Sequence, residues 1–183
     1  MTESRVWSRA AIVAVLFCFP ASVFAVYDED VDEGGFGDSF VDRPGWRPAP
    51  VRVPHYPKEA DLIELDLRVP GLPYRVFLDR RSLHAPGDGT VRYTLVLRSL
   101  EGVDNVRYEL MRCAKNRVRV YAASAGGDVL KPQDGRWMPI RDVGLGRYHR
   151  LLKRYYLCDS GVPLRPRQVL DRIRTGSPED LDD

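Results

Sequence analysis

The chain has 183 residues, with 28 Lys+Arg against 26 Asp+Glu for a formal net charge of +2, and 44% of its residues are hydrophobic. That length bounds it to one domain with tails, and the near-zero charge hides a segregation. Residues 26–42 hold seven acids and no base, and 176–183 hold four acids and no base, whereas 43–175 carry 26 bases against 14 acids, a net of +12. Acid-rich ends of this composition favour solvated, disordered chain over a packed core.

The N-terminus reads as an export signal. Arg5 and Arg9 form a positive n-region, "AAIVAVLFCF" is an apolar h-region from Ala10 to Phe19, Pro20 breaks it, and Val23 and Ala25 supply a peptidase motif, so cleavage is expected after Ala25. The competing reading is an uncleaved anchor. The apolar run to Val26 covers 17 residues, the lower limit for a spanning helix, and Pro20 interrupts it. Cys18 follows Phe17, where lipid attachment needs a small residue, and twin arginines are absent. Cleavage leaves 158 residues with no second apolar run long enough to cross a membrane, which predicts a periplasmic or envelope-associated protein.

Residues 26–55 are expected to be an acidic and then proline-rich extended linker, because proline has no amide to donate to a sheet ladder. Trp46, Tyr56 and the valines of this stretch allow it to lie along the body, and a docking motif for a proline-reading partner is the alternative. The domain is expected over 56–176, with an acidic tail over 177–183. From Leu62 the apolar pattern has period two, the strand signature. "LIELDLRV" (Leu62–Val69), "YRVFLD" (Tyr74–Asp79), "VRYTLVLRS" (Val91–Ser99), "VRYELM" (Val106–Met111) and "RVRVYA" (Arg117–Ala122) read as strands, with a last short one near "RWMPI" (Arg136–Ile140). Turn signals separate them, and short links imply antiparallel neighbours. Val91, Tyr93, Leu95, Leu97, Val106, Tyr108, Leu110, Val118, Val120 and Ala122 are expected to face the core. The period then changes. In "RYHRLLKRYYLC" (Arg147–Cys158), Tyr148, Leu151, Leu152 and Tyr155 share one helix face, and "PRQVLDRIRTG" (Pro166–Gly176) is a second helix with Val169, Leu170 and Ile173 inward. The expected fold is α+β: an antiparallel meander of five to six strands with two C-terminal helices packed on one face.

Cleavage would leave two cysteines, Cys113 and Cys158, for which disulfide, metal ligand and nucleophile are the readings to weigh. An even pair in an oxidising compartment favours the disulfide. Zinc needs about four ligands at metal spacing, and His55, His84 and His149 are scattered. A nucleophile needs an adjacent base; the candidate, His149, lies nine residues before Cys158, roughly 13 Å along a helix. The glycines of "APGDG" (Ala85–Gly89) open a strand and not a helix, unlike a phosphate loop, and no serine has an elbow context. No catalytic residue, metal or cofactor is expected.

Arginine is the surface feature that carries a functional expectation. Arg92, Arg98, Arg107, Arg117 and Arg119 are expected to share the face opposite the apolar one, either as a solvated surface or as a binding face for an anionic lipid, a polysaccharide or an acidic envelope protein. Export disfavours nucleic acid. The leading expectation is a non-enzymatic binding or structural module. The alternative is a small hydrolase or transferase, which a deep pocket lined by His149, Tyr155 and acids would favour.

Four ordered motifs, "YPKEADLIELDLR" (Tyr56–Arg68), "DGTVRYTLVLRS" (Asp88–Ser99), "NVRYELMRC" (Asn105–Cys113) and "RYHRLLKRYYLC" (Arg147–Cys158), together resemble the CNP1-like family, exported proteins of betaproteobacteria named for a cryptic neisserial protein. The resemblance covers about Pro54 to Thr175. It implies an envelope protein with this cysteine pair. It implies no activity, and so no catalytic or binding residues to carry over.

Overall fold

The structure, a computed structural model, describes residues 46–175 apart from 68, 70, 142, 144 and 145. The expected leader with its cleavage at Ala25, the acidic segment up to residue 42 and the tail after 176 lie outside the described residues. Seven strands form one antiparallel sheet: β1 (Leu62–Leu65), β2 (Tyr74–His84), β3 (Thr90–Ser99), β4 (Asp104–Arg112), β5 (Arg117–Ala125), β6 (Lys131–Pro132) and β7 (Met138–Pro139). The first six follow one another as a meander, and β7 pairs with β5 beside β6. Helix α1 (Arg147–Leu151) continues into a π-helical segment, Leu152–Leu157, then a two-stranded ribbon of β8 (Cys158–Asp159) and β9 (Val162–Pro163), and α2 (Pro166–Thr175) ends the described chain. The protein is α+β, a six-strand antiparallel meander with two C-terminal helices. Among the described residues no helix is long and apolar enough to cross a membrane.

The first strand stops at Leu65, short of the expected Val69. Leu65 pairs with Val76, and β2 begins at Tyr74 immediately after Pro73, so chain beyond Leu67 has no strand opposite it. The last expected strand reduces to Met138–Pro139, paired with Arg117 and Val118. In β2 the register shifts between Asp79 and His84. There the Ser82 hydroxyl donates to the Asp79 carbonyl at 2.9 Å and accepts from the Thr94 amide at 2.7 Å, which fills the gap in the ladder.

The helices cover one face of the sheet. Tyr148, Leu152, Tyr155, Tyr156 and Leu157 pack with Val76, Leu78, Val91, Tyr93, Leu95, Leu97, Met111 and Val118, and Val169 of α2 closes the layer. The wider π turn explains why four successive side chains, Tyr155 to Cys158, are buried where a regular amphipathic helix would turn one outward. The Cys113–Cys158 disulfide lies in this core, with Cα atoms 5.8 Å apart, and ties the end of the helical segment to the end of β4.

The opposite face is also packed, which differs from the sequence expectation. Val106, Tyr108 and Leu110 do not face the helices. Opposite β3, Leu95 pairs with Arg107 and Tyr93 with Glu109, so the odd-numbered residues of β4 face the helices and the even-numbered ones face away. Val106, Tyr108, Leu110, Phe77, Val96 and Ala122 build a second core instead. Between β4 and β5 the register shifts after Tyr108, where Ala122 pairs with Tyr108 but Val120 with Glu109. That bulge keeps Val118 on the helix face while Ala122 turns to the other. Because β3 is covered on both sides, residues Thr90 to Leu97 are buried without a break.

The proline-rich stretch is what covers the second face. Val51, Val53 and Tyr56 pack on it. Trp46 donates its indole N–H to the Asp88 carbonyl at 3.1 Å, and the Ala49 amide donates to Asp88 Oδ2 at 2.8 Å. The guanidinium of Arg112 lies 3.8 Å from the ring centre of Trp46 and 5.8 Å from that of Trp137. Residues 46–58 therefore act as a strap and not as a free linker: proline denies them a ladder, but their side chains and carbonyls supply an alternative way down.

Candidate functional site

Arg92, Arg98, Arg117 and Arg119 share the face away from the helices as expected, and Arg107 does not. Arg92 is buried. It donates to the Pro50 carbonyl at 3.0 Å, to the Ala49 carbonyl at 2.9 Å and to Asp88 Oδ2 at 2.9 Å, so it anchors the strap. Arg98 grips Glu59 through two hydrogen bonds of 3.0 and 2.8 Å and also bonds Asp104, while its guanidinium sits 4.9 Å from the Phe77 ring centre. These bonds, first to Glu59 and then to Asp104, raise its pKa further above the ordinary arginine value. Arg117 and Arg119 lie on β5, half-buried, with Arg119 5.6 Å over the Tyr121 ring. Arg107 is on the other side altogether, because its partner is Leu95 of the helix face. The expectation of a shared face assumed that the odd residues of β4 look away from the helices, and the hairpin register inverts that.

On the helix face, Arg107 borders a cleft of about 490 Å³ lined by Tyr74, Arg107, Val118, Met138 to Arg141, Val143, Gly146, Tyr148 and His149. Five elements meet there. Tyr74 opens β2, Arg107 comes from β4 and Val118 from β5, β7 and the loop after it supply the apolar rim, and the first turn of α1 brings Tyr148 and His149. Tyr74 and Tyr148 stand edge to face with ring centres 6.3 Å apart, and the His149 ring lies 4.0 Å from that of Tyr148. Arg107 approaches the Tyr148 hydroxyl at 3.5 Å.

Behind the cleft sits a buried carboxylate that sequence reading did not single out. Glu109 is fully buried. Its Oε2 accepts from the Tyr93 hydroxyl at 3.0 Å and lies 2.9 Å from His149 Nε2, whereas Oε1, also buried, has no hydrogen-bond partner among the described residues. Burial, with the Glu109 charge adding to it, pushes the phenols of Tyr93 and Tyr148 well above their ordinary value, and burial raises Tyr74 as well. All three therefore stay neutral hydroxyls able to donate. With Nε2 turned to Glu109, Nδ1 is the other ring nitrogen of His149, the residue that lines the cleft. Tyr155 is in the core and does not line the cleft. The signal that would have found Glu109 is the β3–β4 hairpin. Opposite charges at Arg98 and Asp104 flank its turn, and pairing them places Glu109 against Tyr93. Among the described residues no group of three or more His, Cys, Asp and Glu is placed to hold a metal.

Residues 41–174 match the model of the CNP1-like family. The chain belongs to this family. The match starts before the expected Pro54, and so takes in the strap as part of the CNP1-like domain. A curated relative is cryptic neisserial protein 1 of Neisseria gonorrhoeae, 28% identical over 114 residues, which is 55% of this chain and 56% of that protein. The chain thus matches little more than half the length of that CNP1-like relative. No solved structure matches.

Proposed function

We propose that this CNP1-like protein is an exported, non-enzymatic binding module of the cell envelope, and that its ligand is a small anion held in the cleft at Arg107. Export rests on the leader-like N-terminus, and the Cys113–Cys158 disulfide supports an oxidising compartment.

The observation that carries the ligand reading is Arg107 itself. Arg75, Arg80, Arg92, Arg98, Arg172 and Arg174 each pair with an acid. Arg107 is half-buried in a concave site, and among the described residues it has no acid partner. A partly desolvated guanidinium with no acid partner among the described residues is suited to an incoming carboxylate or phosphate. Arg141 at the rim adds a second positive charge, and among the described residues Glu109 is the acid behind the cleft. Titration calorimetry of the mature chain with organic anions tests the reading: Arg107→Met should abolish binding, and Arg117→Glu with Arg119→Glu should leave it in place. The reverse pattern would put the site on β5.

The His149–Glu109 pair favours a second reading, hydrolysis, because a base oriented by a buried carboxylate is the arrangement acyl-transfer sites use. The described cleft residues include no serine, threonine or cysteine, so the nucleophile would be water. Ester turnover that disappears in His149→Gln would support this reading.

A further inference from the structure

The two walls of the cleft differ in chemistry. Tyr74, Arg107, Tyr148 and His149, from β2, β4 and α1, present a cation and polar hydrogen-bonding groups. Val118, Met138, Ile140 and Val143, from β5, β7 and the loop that follows, present hydrocarbon and a thioether, with Arg141 of the same loop adding a charge at the rim. Val118 and Ile140 are buried at the base, whereas Met138 is 47% and Val143 67% exposed at the rim. These two exposed side chains border the concavity, where the apolar body of a ligand would cover them. An inorganic anion would satisfy Arg107 and leave that wall wet. A neutral apolar molecule would cover the wall and bury Arg107 without a counter-charge, which is costly.

We infer that the ligand is an amphipathic carboxylic acid whose carboxylate meets the Arg107 guanidinium and the Tyr148 hydroxyl, while its alkyl or aryl body lies against Val118, Met138, Ile140 and Val143. This deepens the anion-binding reading and rests on it. The planar fork of a guanidinium matches a carboxylate in bidentate fashion, and the Tyr148 phenol, kept neutral by burial, can add a donor. A cleft near 490 Å³ is at the lower end of small-molecule sites, which span roughly 300–1,000 Å³. Its size accommodates a medium-chain acid.

The test is calorimetric titration of the full mature chain with octanoate, octanamide, acetate and inorganic phosphate, with amide chemical shifts used to locate each. Octanoate should bind and shift the amides of Val118 and Ile140, and each of the other three should bind at least about tenfold more weakly. Arg107→Met should remove octanoate binding. Met138→Glu should weaken octanoate and leave acetate unchanged. If acetate or phosphate binds as tightly as octanoate, the ligand class is wrong and the anion-binding reading survives. If octanamide matches octanoate, the cleft is an apolar site and both readings fall. If none of the four shifts the cleft amides, both are overturned.

Discussion

Replacing Arg92 and Arg107 separately by methionine should divide stability from binding. The Arg92 side chain is 4% exposed, and it makes three hydrogen bonds of 2.9 to 3.0 Å to Ala49, Pro50 and Asp88. A hydrogen bond to a charged group contributes about 1.5–3 kcal/mol net, so three set an upper bound well above what a domain stable by about 5–15 kcal/mol tolerates easily. Methionine keeps part of the apolar packing, and the two strap carbonyls regain water once the strap lifts. What persists is the half-buried Asp88 carboxylate without its cation, and the net loss should be about 3 kcal/mol. Arg107→Met removes only the 3.5 Å approach to Tyr148 and should cost less than about 1 kcal/mol. Urea unfolding followed by tryptophan fluorescence gives both values, and hydrogen exchange over 46–53 reports the strap directly. Arg92→Met should lose protection there while still binding octanoate, and Arg107→Met should do the opposite. A cost below about 1 kcal/mol for Arg92→Met, with strap protection intact, would refute the anchoring argument. An equal cost for both would make Arg107 a structural residue and remove the ground for the cleft proposal.

Loss of the Cys113–Cys158 bridge, which closes a loop of sequence separation 45, should lower stability by about 4 kcal/mol on loop-entropy grounds. Unfolding of the paired Cys113→Ser, Cys158→Ser variant checks this, and two free thiols in the exported protein would overturn the bridge itself. Asp88 loses solvation on burial, which raises its pKa, but bonds from Thr90, Ala49 and Arg92 outweigh this and hold it below the ordinary value of 3.8. A depressed folded pKa means that the stabilisation is complete above the unfolded value and is lost as pH falls through the folded one. Detachment of the strap, followed by Trp46 fluorescence, should therefore begin only below about pH 4, and Asp88→Asn should remove that transition. The protein recovered from the exporting cell's envelope should have Val26 as its first residue by mass; a mass including the leader would show that it is retained.

Much of the scaffold could be read from the residues. Alternation located the strands from Tyr74 to Ala122, the shift to helical period located Arg147–Cys158, and Pro166 with Val169 and Ile173 marked α2. The cysteine pair followed from count and compartment. The site could not be read this way. Tyr74, Tyr148 and the β4 pair Arg107 and Glu109 come from three separate elements, and none sits in a local motif that marks chemistry.

What the sequence determines by itself is everything local: which stretches are extended or helical, where they turn, and that the body is basic with acidic ends. Tertiary structure alone decided the faces. In a sheet packed on both sides, apolar residues occur at both parities, so alternation no longer distinguishes in from out, and a change of one residue in hairpin register exchanges the two. The pairing of Leu95 with Arg107 sent that arginine, with Glu109, toward the helices, and it sent Val106, Tyr108 and Leu110 to the other side. The strap's docking depended likewise on Asp88 and Arg92 being placed to receive carbonyls and an amide about 40 residues earlier, a partnership across the fold that no window along the chain contains.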